Sequence, residues 1–308
     1  MTTAFIFPGQ GSQAIGMLAE LASAHDEVLN TFKEASDALG YDLWQVVQEG
    51  PAEKLNSTEV TQPAMLSAGV ATYRVWQAQG GKIPAVMAGH SLGEYTALVC
   101  AGSLNFSDAV SLVAERGRLM QQAVPAGSGA MAAILGLDDD AVRAVCAEAA
   151  QGEIVEPVNF NSPGQVVVAG SKDGVERATV IAKDKGAKRA VILPVSVPSH
   201  CTLMKPAAEE LAKKLASIEI KTPDIKVINN VDVQSPTAAD SIRDALVRQL
   251  YQPVRWVEVI ESMNAQGIET VIESGPGKVL AGLNKRIVKT MNALPVYDPD
   301  TLAAALSA

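Results

Sequence analysis

The pentapeptide Gly89-His90-Ser91-Leu92-Gly93 is the clearest chemical signal in the chain. It fits G-x-S-x-G, in which a sharp strand-to-helix turn lifts a serine hydroxyl clear of a sheet. Glycine on both sides removes Cβ atoms that such a turn would crowd. The Leu92 N–H would then sit at a helix N-terminus, where developing negative charge is favoured. Ala85-Val86-Met87-Ala88 reads as a short buried strand before the turn, and the run through Tyr95, Leu98 and Val99 reads as a helix after it. The alternative is a glycine-rich turn around a buried serine.

A serine hydroxyl is a weak nucleophile until a base takes its proton. The chain has three histidines, which keeps the choice small. His25 stands in Ala24-His25-Asp26-Glu27, which reads as an acidic, solvated helical surface. His90 adjoins Ser91 but points elsewhere on a tight turn, which suits packing. His200 lies in Val197-Pro198-Ser199-His200, where Pro194 and Pro198 hold the chain extended. It is the expected base, with a core or capping histidine as the alternative.

An oxyanion needs preplaced donors. Gly9-Gln10-Gly11 follows the strand-like run Thr3-Ala4-Phe5-Ile6-Phe7 and can aim backbone N–H groups at the serine turn. With Ala14 the same glycines also fit G-x-G-x-x-A, a dinucleotide fingerprint. That fingerprint wants a second strand ending in an acidic residue. Here an amphipathic helix follows, with Glu34 inside it, so no cofactor is expected. Arg116 falls in the helix after the serine helix. A lone helical arginine usually faces solvent, but Leu112, Val113, Leu119 and Met120 include an apolar stripe and leave an inward orientation open.

These residues need a frame. Strands at 3–7, 85–88, 225–228, 268–272 and 294–296 alternate with helical patterns. The helices are expected at 18–39, from about 61 with Thr61 as cap and Pro63 in the first turn, and at 107–123, 203–218, 237–250, 254–265 and 277–288. That rhythm implies a mainly parallel sheet covered on both faces. Between them, strands at 130–135, 154–160, 165–169 and 190–194 and helices at 138–149 and 172–185 run β-α-β-β-α-β, a ferredoxin-like order. The expected organisation is a large α/β domain, 1–124 and 197–308, interrupted by a small insert, 125–196.

Composition narrows the function classes. The 308 residues are 48% hydrophobic and 19% charged, so a core is affordable and disorder is not expected. A net charge of −9 and 4% aromatics disfavour nucleic acid and anionic membranes as partners. Cys100, Cys146 and Cys201 show no zinc spacing and suit reduced thiols. The N-terminus lacks a basic segment followed by a long apolar one, so the expected compartment is the cytoplasm.

Together these residues resemble the malonyl-CoA:acyl carrier protein transacylases of bacterial fatty acid synthesis. The resemblance covers essentially the whole chain. It rests on Phe7-Pro8-Gly9-Gln10-Gly11-Ser12-Gln13, Thr61-Gln62-Pro63-Ala64, Gly89-His90-Ser91-Leu92-Gly93-Glu94-Tyr95 and Arg116-Gly117. It continues through Asn159-Phe160-Asn161-Ser162-Pro163-Gly164-Gln165, Pro198-Ser199-His200, Tyr251-Gln252-Pro253-Val254 and Glu273-Ser274-Gly275-Pro276-Gly277.

The resemblance implies an α/β-hydrolase-like domain with a ferredoxin-like insert. It also implies ping-pong transfer of malonyl from malonyl-CoA to the phosphopantetheine thiol of acyl carrier protein. Ser91 would be the nucleophile and His200 the base. The backbone N–H groups of Gln10 and Leu92 would hold the oxyanion, the main-chain carbonyl of Gln249 would orient His200, and Arg116 would anchor the malonyl carboxylate. Ser199 stands where related malonyl-using domains carry Phe and methylmalonyl-using ones Ser, but the carrier-protein-specific enzymes also resemble the Pro-Ser-His form. An acidic carrier would need a local basic patch, for which Lys188 and Arg189, with Lys183 and Lys185, are one candidate and Lys285, Arg286 and Lys289 another. No cofactor or metal is implied, and a monomer is expected. The rival classes are a serine hydrolase and a non-catalytic module. Against a patatin-like hydrolase, no Asp-Gly-Gly occurs, since Asp173-Gly174 is followed by Val175.

Overall fold

The computed structural model describes residues 2–195 and 197–308. The predicted end of the insert, Ser196, lies outside the described residues. The chain begins with β1 (Thr3–Phe7), then α1 (Ala19–Ala24), α2 (Asp26–Leu39), α3 (Leu43–Glu49), α4 (Ala52–Leu55) and α5 (Thr58–Ala78). Next come β2 (Val86–Gly89), α6 (Gly93–Cys100) and α7 (Phe106–Gln122). A second group follows: β3 (Gly129–Leu135), α8 (Asp139–Ala150), β4 (Val155–Ser162), β5 (Gln165–Ser171), α9 (Lys172–Asp184) and β6 (Arg189–Ile192). The chain closes with α10 (Lys205–Ala216), β7 (Lys226–Ile228), α11 (Ala239–Gln249), α12 (Trp256–Ala265), β8 (Thr270–Ser274), α13 (Val279–Ile287), β9 (Asn292–Val296) and α14 (Pro299–Leu306).

Five strands form one sheet in the order β7-β2-β1-β8-β9, all parallel. Side chains alternate along a strand, so a run that is apolar throughout feeds two cores. Phe5 and Phe7 of β1 pack into one core, with α2, α5, α6 and α7, while Ala4 and Ile6 enter the other, under α12 and α13. The Phe5 ring meets those of Tyr73 and Trp76 edge-on at 5.2 and 5.3 Å. The mixed α/β expectation, with a mainly parallel sheet, is met.

The second sheet is antiparallel, in the order β4-β5-β3-β6. Its helices α8 and α9 bury one face through Val142, Val145, Val175 and Ala178. The other face, with Met131, Val158 and Val167, meets Cys201. Backbone bonds also tie it to the larger body: Phe160 donates to the Val254 carbonyl at 3.0 Å, and Val254 to that of Val158 at 2.8 Å.

Several elements differ from expectation. The predicted helix over 18–39 is two, because His25 is extended (φ −141°) and caps α2. His25 therefore sits at a break between helices. Helix α5 starts a turn before Thr61, since Ser57 takes the N-cap backbone (ψ 132°), and Pro63 falls inside it. Helices α3, α4 and α14 carry no expectation from the sequence. In α14 Asp298 and Thr301 form a reciprocal capping box, a short signal that precedes only eight helical residues. No helix among the described residues is long and apolar enough to cross a membrane.

Candidate active site

The serine turn is built as the glycines require. Ser91 adopts φ 52° between β2 and α6. A Cβ on Gly89 would lie 1.8 Å from the Gly93 carbonyl carbon, and one on Gly93 2.0 Å from the Phe7 carbonyl oxygen. Asn230 pins the turn from outside: its Oδ1 accepts from Ser91 N at 2.8 Å, and its Nδ2 donates to the Gly89 carbonyl at 2.8 Å. With the Ser91 N–H engaged there, the next one, of Leu92, is left over. Neither Leu92 N nor Gln10 N has an acceptor among the described residues. The Gln10 loop packs on the turn so closely that a Cβ on Gly9 would approach the His90 carbonyl oxygen to 2.6 Å.

His200 arrives from the loop before α10, itself at φ 65°. Its Nε2 is 2.7 Å from Ser91 Oγ, and its Nδ1 is 2.6 Å from the Gln249 carbonyl. Gln249 is the last residue of α11, where helix carbonyls lack intrahelical partners, so its oxygen is free to accept. Burial, with Arg116 and His90 nearby, outweighs that hydrogen bond and lowers the His200 pKa to about 3. The imidazole is thus neutral at pH 7. His90 points away from this pair, its Nε2 2.8 Å from Asn161 Oδ1 and its ring against Trp256.

The open question about Arg116 closes inward: it is 1% exposed. Nη1 donates to Gln62 Oε1 at 2.8 Å, and Nη2 to Gln249 Oε1 at 3.1 Å and Ser91 Oγ at 3.3 Å. The guanidinium also stacks on Tyr95, 5.3 Å from the ring centroid. The Ser91 hydroxyl oxygen therefore accepts from Arg116 and can donate to His200. Ser91, His200, Arg116, Gln10 and Leu92 line one cavity of about 240 Å³, walled by Met120 on α7, Met131 and Val167 of the antiparallel sheet, and Leu280 on α13. A serine hydroxyl, a neutral imidazole, two unengaged N–H groups and a guanidinium thus share a small, mostly apolar pocket, an arrangement chemically able to support transfer of an anionic acyl group.

The sequence matches the acyl transferase domain family model over residues 4–303. A malonyl CoA-acyl carrier protein transacylase from Escherichia coli strain K12 is 63% identical over 303 residues, covering 98% of each chain. The chain belongs to the malonyl CoA-acyl carrier protein transacylase family. It is accordingly an acyltransferase. The crystal structure of an acyl carrier protein S-malonyltransferase from Vibrio cholerae superposes with a TM-score of 0.97 at 64% identity, covering 99% of each chain. A malonyl-transacylase solved in complex with its type II PKS acyl-carrier protein gives a TM-score of 0.99 at 59% identity, covering 100% of this chain and 99% of that one.

The structure of this transacylase-family chain brings Ser91, His200, Gln249, Arg116, Gln10 and Leu92 together. Lys188 and Arg189 stand apart, exposed where β6 forms the open edge of the small sheet, three or more residues before the pocket residues Leu193 and Val195. Lys185 is paired with Glu148 at 2.8 Å, and Arg286 donates to Gln165 Oε1 at 2.9 Å. Sequence reasoning assigned no role to Asn230, Glu94 or Gln62. All three are polar residues at most 2% exposed, and although Gln62 and Glu94 stand within blocks that carry the resemblance, only burial marks Asn230.

Proposed function

We propose that the chain transfers a malonyl group from malonyl-CoA to the phosphopantetheine thiol of acyl carrier protein through a malonyl-Ser91 intermediate, supplying extender units for fatty acid synthesis. The 2.7 Å contact between Ser91 Oγ and a neutral, oriented His200 carries this reading. Ser91 Oγ attacks the thioester carbonyl as its proton passes to His200 Nε2. The tetrahedral oxyanion is held by the N–H groups of Gln10 and Leu92. The C–S bond then breaks, and coenzyme A leaves as a thiol with the proton from His200. In the second half the carrier thiol gives its proton to His200 and attacks the acyl-serine. Ser91 Oγ leaves and recovers that proton. Arg116 forks two hydrogen bonds onto the malonyl carboxylate, whose burial without such a partner would be costly. The larger body is read as an α/β-hydrolase-like domain on its strand–Ser91–helix order, and the segment from residue 125 as a ferredoxin-like insert on its strand order. The protein works as a cytoplasmic monomer without a cofactor.

Mass spectrometry after incubation with malonyl-CoA tests this reading. One malonyl adduct is expected on Ser91, discharged by carrier protein faster than by water; an adduct persisting in Ser91→Ala would refute it. Arg116→Ala should lose malonyl far more than acetyl transfer, and equal losses would refute the anchor.

A further inference from the structure

Arg116 is a buried cation whose close partners are all neutral: Gln62, Gln249, Ser91 and the Tyr95 ring. Among the described residues no carboxylate forms an ion pair with it. A buried charge without compensation is strongly unfavourable. Glu94, in the first turn of α6 and 2% exposed, lies one amide further away. Its Oε2 accepts from Gln249 Nε2 at 2.8 Å and from Asn230 N at 2.9 Å. The Gln249 side-chain amide therefore stands between the two charges, its oxygen on Arg116 and its nitrogen on Glu94. Such a chain polarises in one sense, each bond strengthening the next.

We propose that Glu94 is a specificity-determining residue, the counter-ion of Arg116 held one amide away so that the guanidinium is compensated while its donors stay available to a substrate carboxylate. The inference rests on reading Arg116 as the anchor of the malonyl carboxylate. A carboxylate forked directly onto Arg116 would occupy the substrate's place. A relayed one lowers the local positive potential and takes up only the Nη2 donor that Gln249 Oε1 accepts from, and Arg116 Nε has no hydrogen-bond partner among the described residues. Glu94 then competes electrostatically with a malonyl carboxylate and leaves an acetyl group unaffected. Burial raises the Glu94 pKa to about 7, against the lowering effect of its hydrogen bonds and of Arg116. Arg116 from α7 and Asp232 from the segment after β7 are the charged groups that bear on it. The competition therefore strengthens as pH rises through neutrality and the carboxyl ionises.

The test measures second-order rate constants for acylation of Ser91 in the full chain by malonyl-CoA and by acetyl-CoA, for wild type and Glu94→Gln. The acetyl reaction controls for ionisation of coenzyme A and of the dyad. Glu94→Gln keeps the shape and an acceptor for Gln249 but removes the charge. The malonyl-to-acetyl ratio should rise about tenfold at pH 8, the order expected for one charge some ångströms away at an effective dielectric near 20, with the change in KM for malonyl-CoA. In wild type the ratio should fall from pH 6 to pH 8, and in Glu94→Gln it should stay flat. An unchanged ratio in the variant, or a pH-independent ratio in wild type, overturns the inference. The wild-type series decides alone if the variant does not fold. Absence of any malonyl adduct on wild-type Ser91 would instead refute the transfer reading itself.

Discussion

The Nδ1 of His200 stands 2.6 Å from the main-chain carbonyl of Gln249, and that contact fixes the tautomer of the base. A carbonyl oxygen only accepts, so Nδ1 carries the hydrogen and Nε2 faces Ser91 Oγ with its lone pair. A side-chain carboxylate in the same place would do this too, but it would add a buried charge beside Arg116. A helix C-terminal carbonyl orients the ring and carries no formal charge. This leaves burial and the nearby cation to hold the ring neutral.

The first prediction concerns pH. An unperturbed histidine base would be half protonated near pH 6.5. The His200 pKa of about 3 moves that acid limb far down. Acylation of Ser91 by acetyl-CoA, measured by rapid quench, should lose no rate to His200 protonation between pH 7 and pH 5; a limb centred near 6.5 would contradict this. The sign for stability follows. The unfolded histidine binds a proton below about pH 6.5 while the folded one does not, so this group's contribution is present above that pH and is lost as pH falls toward 3.

Asn230→Ala is the second. The substitution strips acceptors and donors from Ser91 N and the Gly89 carbonyl at once. Two buried groups left unsatisfied should destabilise the fold by about 3 kcal/mol. Urea denaturation checks that figure. Acylation of the folded variant should also fall by one to two orders of magnitude, because the φ 52° turn at Ser91 loses its outside support. Full activity in a destabilised variant would reduce Asn230 to a purely structural role.

What was legible in the sequence follows from how local each signal is. The serine turn is five contiguous residues with a strand and a helix attached, so its shape could be read directly. His200 emerged because only three histidines compete. Asn230 gave no such signal, and the blocks that hold Glu94 and Gln62 gave neither a role. Each is a common polar residue whose meaning depends on being buried against groups far along the chain: Asn230 bonds Ser91 139 positions away, and Gln62 meets Arg116 54 positions away. Arg116 was ambiguous for the same reason, since helical spacing shows which side is apolar but not which long polar side chain is folded under it. The break at His25 was missed because the apolar stripe continues across it in both helices.

The third prediction sets two glycines against each other. Gly89→Ala places a Cβ 1.8 Å from Gly93 backbone, inside the strand-to-helix turn, with nowhere to move. It should yield little folded protein, as judged by thermal melting. Gly9→Ala meets the His90 carbonyl oxygen at 2.6 Å across a loop with an exposed neighbour, Gln10, and that loop can shift. The variant should fold, with near-native melting, yet lose about 10²–10³ in acyl transfer as the Gln10 N–H leaves its place. Comparable loss of fold in both would argue against an oxyanion role for the Gln10 loop.

The last prediction concerns the carrier protein. Arg189 opens the edge strand β6 and Lys188 stands just before it, both exposed, and the chain runs from there to Leu193 and Val195 at the pocket. An acidic carrier docked at this edge could send its phosphopantetheine arm inward along that segment. The net charge of −9 makes such a local basic site necessary for any acidic partner. Charge reversal, Lys188→Glu with Arg189→Glu, should raise KM for carrier protein at low salt by about tenfold or more, mostly through slower association. KM for malonyl-CoA should stay put, because neither residue lines the pocket. Added salt should shrink the difference between variant and wild type, since exposed charges are screened. If KM for the carrier does not move, the same reversal at Lys285 and Arg286 on α13, beside the pocket residue Leu283, tests the other cluster.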